Sequence, residues 1–121
     1  MTTVRSNDRR KSVRLKGRKE SILIHPNGIR QIQDISLGGL SFHCPQDEFL
    51  PGQWPIEIIF AGTLLYMTEV PVRLVRERLD EVVGLTALPT KEIGVEFLDI
   101  NEENRILLNR MLSFLQEDST H

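Results

Sequence analysis

Apolar residues fall on every second position in Leu40-Ser41-Phe42-His43-Cys44 and again at Trp54, Ile56, Ile58 and Phe60, the spacing of strands with one buried face. The short run Ser21-Ile22-Leu23-Ile24 is followed by Pro26-Asn27-Gly28 and then by Ile29 to Ile35, which reads as a hairpin. Leu64 to Glu69, Val70 to Arg78, Val82 to Leu88 and Ile93 to Leu98 read as further strands, and Pro71 signals an edge position or a break. At least six short strands with turns at close spacing predict a mainly β fold, a small closed or nearly closed antiparallel barrel. Beyond Asp99 the period changes. Leu107, Leu108, Met111, Leu112 and Leu115 recur at helical spacing, and Asp99 with Glu102 reads as a capping pair. A helix from about Asn101 to Gln116 would be roughly 24 Å long. Its stripe of Leu and Met is expected to face the core.

The first residues behave differently. Met1 to Val13 has almost no apolar residues and no period, so it is expected to be mobile without a partner. Met1 to Lys19 carries eight Lys/Arg against one acid, a net +7, whereas the remainder carries seven against sixteen, a net −9. The expected organisation is a flexible basic arm over residues 1–14 and one barrel domain with its helix over 15–121, a length that buries a core without staples. No apolar run approaches the roughly 20 residues of a membrane helix, and the polar N-terminus lacks a signal-peptide core, so a cytoplasmic protein is expected. The single cysteine, Cys44, alternates with Leu40 and Phe42 and reads as a small buried hydrophobe. Three histidines, at positions 25, 43 and 121, have no ligand spacing, so no metal site is expected.

Chemistry concentrates in two places. Asp34-Ile35-Ser36-Leu37-Gly38-Gly39 holds an acid, a hydroxyl and two glycines between strands, and glycines let a ligand approach the main chain. Upstream, Arg9-Arg10-Lys11-Ser12-Val13-Arg14 presents guanidinium forks four residues apart, suited to phosphates and to the O6/N7 edge of guanine. Each has a plainer explanation. Asp34 and Ser36 can cap a tight turn with the glycines supplying its angles, and a basic arm can be a solvated tail. Their joint occurrence, Arg10-x-x-x-Arg14 followed by Asp34-x-Ser36-x-x-Gly39 ahead of a run of strands, resembles the PilZ domain family. Ile93-Gly94-Val95-Glu96-Phe97 is similar to that family's late strand, so the resemblance covers most of the chain.

The resemblance implies a six-stranded PilZ-type barrel and a bacterial second-messenger receptor for cyclic di-GMP, with no enzymatic activity and no cofactor. By the same resemblance Arg10 and Arg14 would grip guanine edges and phosphate, Asp34 would orient an arginine or bind guanine, and Ser36 would bond polar ligand atoms. Gly38 and Gly39 would keep the floor of the site low. Arg9 is compatible with a stacked pair of ligand molecules. The arm would order over the ligand and signal to a downstream partner protein. Two alternatives stand beside this: a member that keeps the fold for protein interaction without binding the ligand, and a small nucleic-acid-binding barrel. The acidic body and the lack of an exposed aromatic pair weigh against the second. An enzyme is not expected, since no nucleophile pairs with a base and no phosphate-cradling loop is present.

Overall fold

The protein is described by a computed structural model that covers residues 15–16, 21–25, 28–60, 65–81, 84 and 88–119. Residues 1–14, with Arg9, Arg10 and Arg14, lie outside the described residues. Seven strands occur among the described residues: β1 (Leu15–Lys16), β2 (Ser21–His25), β3 (Gly28–Ile35), β4 (Gly39–Pro45), β5 (Gln53–Phe60), β6 (Leu65–Leu79) and β7 (Thr90–Phe97), followed by helix α1 (Glu102–Ser119).

All pairings are antiparallel. The sheet runs β1-β3-β2-β5-β6-β7-β4, and a further β3–β4 pairing closes β2, β3, β4, β7, β6 and β5 into a ring. This is the expected small six-stranded barrel, with the two-residue β1 added beside β3. Closing so few strands demands strong bending, and three register shifts supply it, at Ile32/Asp34, Ile56/Ile58 and Leu74/Arg76. The alternating positions read from the sequence form the interior, Leu40, Phe42, Cys44, Trp54, Ile56, Ile58 and Phe60 all being buried, and Ile32, Ile35, Ile93 and Val95 join them.

Strand β6 differs from expectation. Leu65 and Met67 are buried, then Val70 and Val72, so the alternation slips by one residue at Glu69. That slip reads in sequence as two strands, yet the chain continues as one. The extra residue is absorbed at Glu69, whose φ is 49°, opposite the Ile56/Ile58 irregularity. Pro71, expected at an edge or a break, sits inside this strand. It faces Pro55 across the β5–β6 ladder, and the β6–β7 ladder begins only at Val72, so its missing N–H falls where little pairing is lost. Of the strand expected over Val82 to Leu88, only Gly84 and Leu88 are described, and neither is in a strand.

Helix α1 packs against β6 and β1. Leu108, Met111 and Leu115 enter the same core as the barrel interior, and Phe114 meets Phe60 edge to face at 6.1 Å. The expected cap is corrected. Asn101, not Asp99, caps the helix: its Oδ1 accepts from the Asn104 backbone N at 2.7 Å. Asp99 instead takes a positive φ of 30° in the turn before it. Asn104 is buried and donates its Nδ2 to the Thr68 carbonyl at 3.0 Å, tying the helix start to β6.

Removing the true cap separates these roles. Asn101→Ala is expected to lower stability by about 1 kcal/mol, whereas Asp99→Gly relieves the positive φ and leaves stability unchanged or raised. Urea denaturation followed by circular dichroism measures both.

Candidate functional site

Strand β3 ends at Ile35 and β4 begins at Gly39, so Ser36, Leu37 and Gly38 form the corner between them. The Ser36 backbone N donates to the Gly39 carbonyl at 2.8 Å, closing a tight turn. The Ser36 side chain is only 4% exposed; its hydroxyl accepts from the Gly38 N–H at 3.1 Å and lies 3.5 Å from the Gly39 carbonyl as a donor. Ser36 thus organises the corner from within. Asp34 is half-buried on the last stretch of β3 and faces Ser41 of β4.

The two glycines are present for different reasons. Neither has the positive φ that a turn might demand. A Cβ on Gly39 would overlap the Val95 carbonyl oxygen and come within 2.9 Å of the Glu96 Cα, so this glycine lets β7 pass against β4. The Gly38 carbonyl accepts from the Phe97 N–H at 2.9 Å, pinning the corner to β7. Gly38 itself is exposed, and a Cβ there would meet only the Ser36 hydroxyl, at 3.8 Å. Nothing in the packing of the described residues requires glycine at position 38.

The basic arm is represented by its point of attachment. Leu15 pairs with Ile35 and Lys16 with Asp34, so β1 lies directly beside the end of β3. Asp34 and Ile35 are thereby paired on both sides, by β1 and by β4. Chain connectivity then fixes how far the arginines can be. Residue 14 is one Cα step, about 3.8 Å, from Leu15, and residue 10 at most about 18 Å away.

Sequence reasoning missed the rest of the outer face. Gln31, Ile32, Gln33 and His43 line a depression of about 380 Å³ beside Asp34. His43 Nδ1 is 2.8 Å from Asp80 Oδ2, and the Thr90 hydroxyl donates to the same oxygen at 2.7 Å. These two bonds, the Thr90 one first, hold the Asp80 carboxyl below its usual range. Such a cross-strand cluster is invisible in sequence because its members are 37 and 10 residues apart. On the next strands Arg73 pairs with Glu96 and Arg78 with Glu92. At one end of the barrel Lys91 is buried, bonded to Glu77 and to the Glu48 carbonyl, and Arg30 pairs with Glu48. Burial and then Glu48 push the Cys44 thiol up, so this cysteine is a packing residue. Among the described residues no group of three or more His, Cys, Asp or Glu is placed to hold a metal, and no helix is long and apolar enough to cross a membrane.

A profile of the PilZ domain matches residues 5–114, which takes in both the arm and the barrel. The chain belongs to the PilZ domain family. In fold it is similar to the PilZ domain of YcgR from Escherichia coli, solved with c-di-GMP (17% identity, 92% of this chain and 94% of that one, TM-score 0.70). It is likewise similar to K. pneumonia MrkH in its c-di-GMP complex (17% identity, 92% of this chain, TM-score 0.71), of which it covers 54%. The Legionella protein Lpg0364 has nearly the same extent (16% identity, 90% of this chain and 99% of that one, TM-score 0.60). No curated protein matches the sequence.

The glycine pair yields a direct test of the corner. Gly39→Ala is expected to lower the melting temperature by 10 °C or more on the order of the several kcal/mol that a backbone clash costs. Gly38→Ala is expected to melt within about 2 °C of the parent, as surface changes do. Thermal denaturation of both variants is the measurement.

Proposed function

We propose that this PilZ domain is a receptor for cyclic di-GMP, with Arg10, Arg14, Asp34, Ser36 and Gly38 around one site and Arg9 beside it, and Gly39 holding its floor to β7. The observation that carries the reading is the pairing of β1 with β3 at Asp34 and Ile35. It starts the arginine-bearing arm next to the acid and the glycine corner, within reach of a ligand lying on both. The solved c-di-GMP complexes among its structural relatives lend support through the shared fold.

The chemistry fits a dianionic dinucleotide. Each bidentate arginine contact to guanine supplies about 1–3 kcal/mol of discrimination, and a micromolar complex needs about −8 kcal/mol in all. Two such contacts with phosphate pairing reach that range after the several kcal/mol spent on ordering a chain segment. Gly38, which the packing does not require, admits the ligand to the main chain. Ser36 acts through the corner it organises, presenting backbone groups at a fixed height. The arm's ordering over the ligand is the signal, read by a partner protein.

One observation favours a second reading. The Ser36 hydroxyl is buried and engaged within the corner, so it already has a structural role that a domain kept for protein interaction alone would also need. The two readings part on titration. Cyclic di-GMP added to the full chain is expected to give saturable heat, weakened roughly tenfold or more by Arg10→Ala or Arg14→Ala, and weakened by Gly38→Val without loss of fold. NMR shifts should concentrate in residues 9–14 and 34–39. No heat at hundred-micromolar ligand with folded protein selects the interaction-only reading.

A further inference from the structure

Asp34, Ser41, Gly94 and Arg76 are successive cross-strand partners on β3, β4, β7 and β6. Leu40 and Phe42 flank Ser41 with their side chains in the core, and Ile93 and Val95 do the same for Gly94, so this row belongs to the outer face. With neighbouring strands about 4.8 Å apart, it runs about 14 Å from Asp34 to Arg76. We propose that the ligand site continues along this row, and that Ser41, Gly94 and Arg76 form a seat for a phosphodiester of the bound dinucleotide. The inference rests on the receptor reading above and extends it to residues outside the paired motifs.

Three features point to an anion. Ser41 is 0% exposed, yet its hydroxyl has no hydrogen-bond partner in the protein. Buried hydroxyls are normally bonded, and an alanine would fill the same space without a stranded donor. Gly94 has a bare backbone with the guanidinium of Arg76 over it: a Cβ there would stand 3.1 Å from Arg76 Cζ and Nη2. Arg76 is also the least engaged of the outer arginines of β6. Arg73 has Glu96 and Arg78 has Glu92 as hydrogen-bonded partners, whereas Arg76 Nη2 lies 3.9 Å from the second Glu92 oxygen; its side chain, 43% exposed against 52% and 67% for the other two, lies over Gly94 instead. Rotation of this long side chain away from Gly94 uncovers the seat and turns a planar fork toward the incoming phosphate, while the Ser41 hydroxyl donates from the other side. Arg76 ends the row on one side, and Asp34, where β1 attaches, ends it on the other.

Calorimetric titration of the full chain with cyclic di-GMP tests this. Arg76→Ala is expected to weaken binding about tenfold or more, Arg76→Lys less because the charge remains, and Ser41→Ala about threefold, in line with charged and neutral hydrogen bonds. Ser41→Ala should melt at or above the parent temperature because it removes a stranded hydroxyl, the Arg76 variants should melt as the parent does, and Arg73→Ala should bind within about twofold of the parent, as expected for an arginine held by its own carboxylate. Parent-like binding by Arg76→Ala, or an equal loss from Arg73→Ala, overturns the proposal while leaving the receptor reading intact if Arg10→Ala still weakens binding. An unmodified protein that binds nothing overturns the receptor reading, and this seat with it. Should Arg76→Ala fail to fold, Arg76→Lys and Ser41→Ala decide the matter together: parent-like affinity in both overturns the seat.

Discussion

At Gly39, β7 passes so near β4 that a single methyl group would collide with main-chain atoms. The β4–β7 ladder brings this contact about at its Gly39–Glu96 rung, and the Gly38 carbonyl bonded to Phe97 locks it. Once it is made, the corner carrying Ser36 cannot drift relative to the sheet. A corner held by two neighbouring strands offers backbone groups at fixed positions, which is what a rigid half of a binding site requires.

The sequence that leads into the barrel has a different character. Residues 1–19 carry a net +7, and the remainder carries −9. That figure already counts every Lys and Arg of the body, so the pairs of Glu92 with Arg78 and Glu96 with Arg73 leave its net charge unchanged. The basic first residues therefore join a body of opposite net charge.

Much of this architecture was legible in the chain. Period-two alternation located β4 and β5 residue by residue, and the helical stripe marked the face of α1 that enters the core, because burial is the strongest signal a sequence carries. What escaped detection has a common cause: it depends on residues far apart meeting. The continuity of β6 through Glu69 and Pro71 rests on partners in β5, and the His43, Asp80 and Thr90 cluster joins three segments. The helix cap went to Asn101 in place of Asp99 because the turn's backbone angles, not residue type, chose between two good capping residues. At the site, position 39 has a packing reason that only the neighbouring strand reveals, and that separates it from position 38, which looked equivalent in sequence.

Strand β1 is two residues long, held by two rungs to β3 and by contact with α1. So small an attachment opens at a fraction of the cost of unfolding the barrel. Its opening would therefore release the chain upstream of Leu15 and leave every pairing of the six-stranded ring in place.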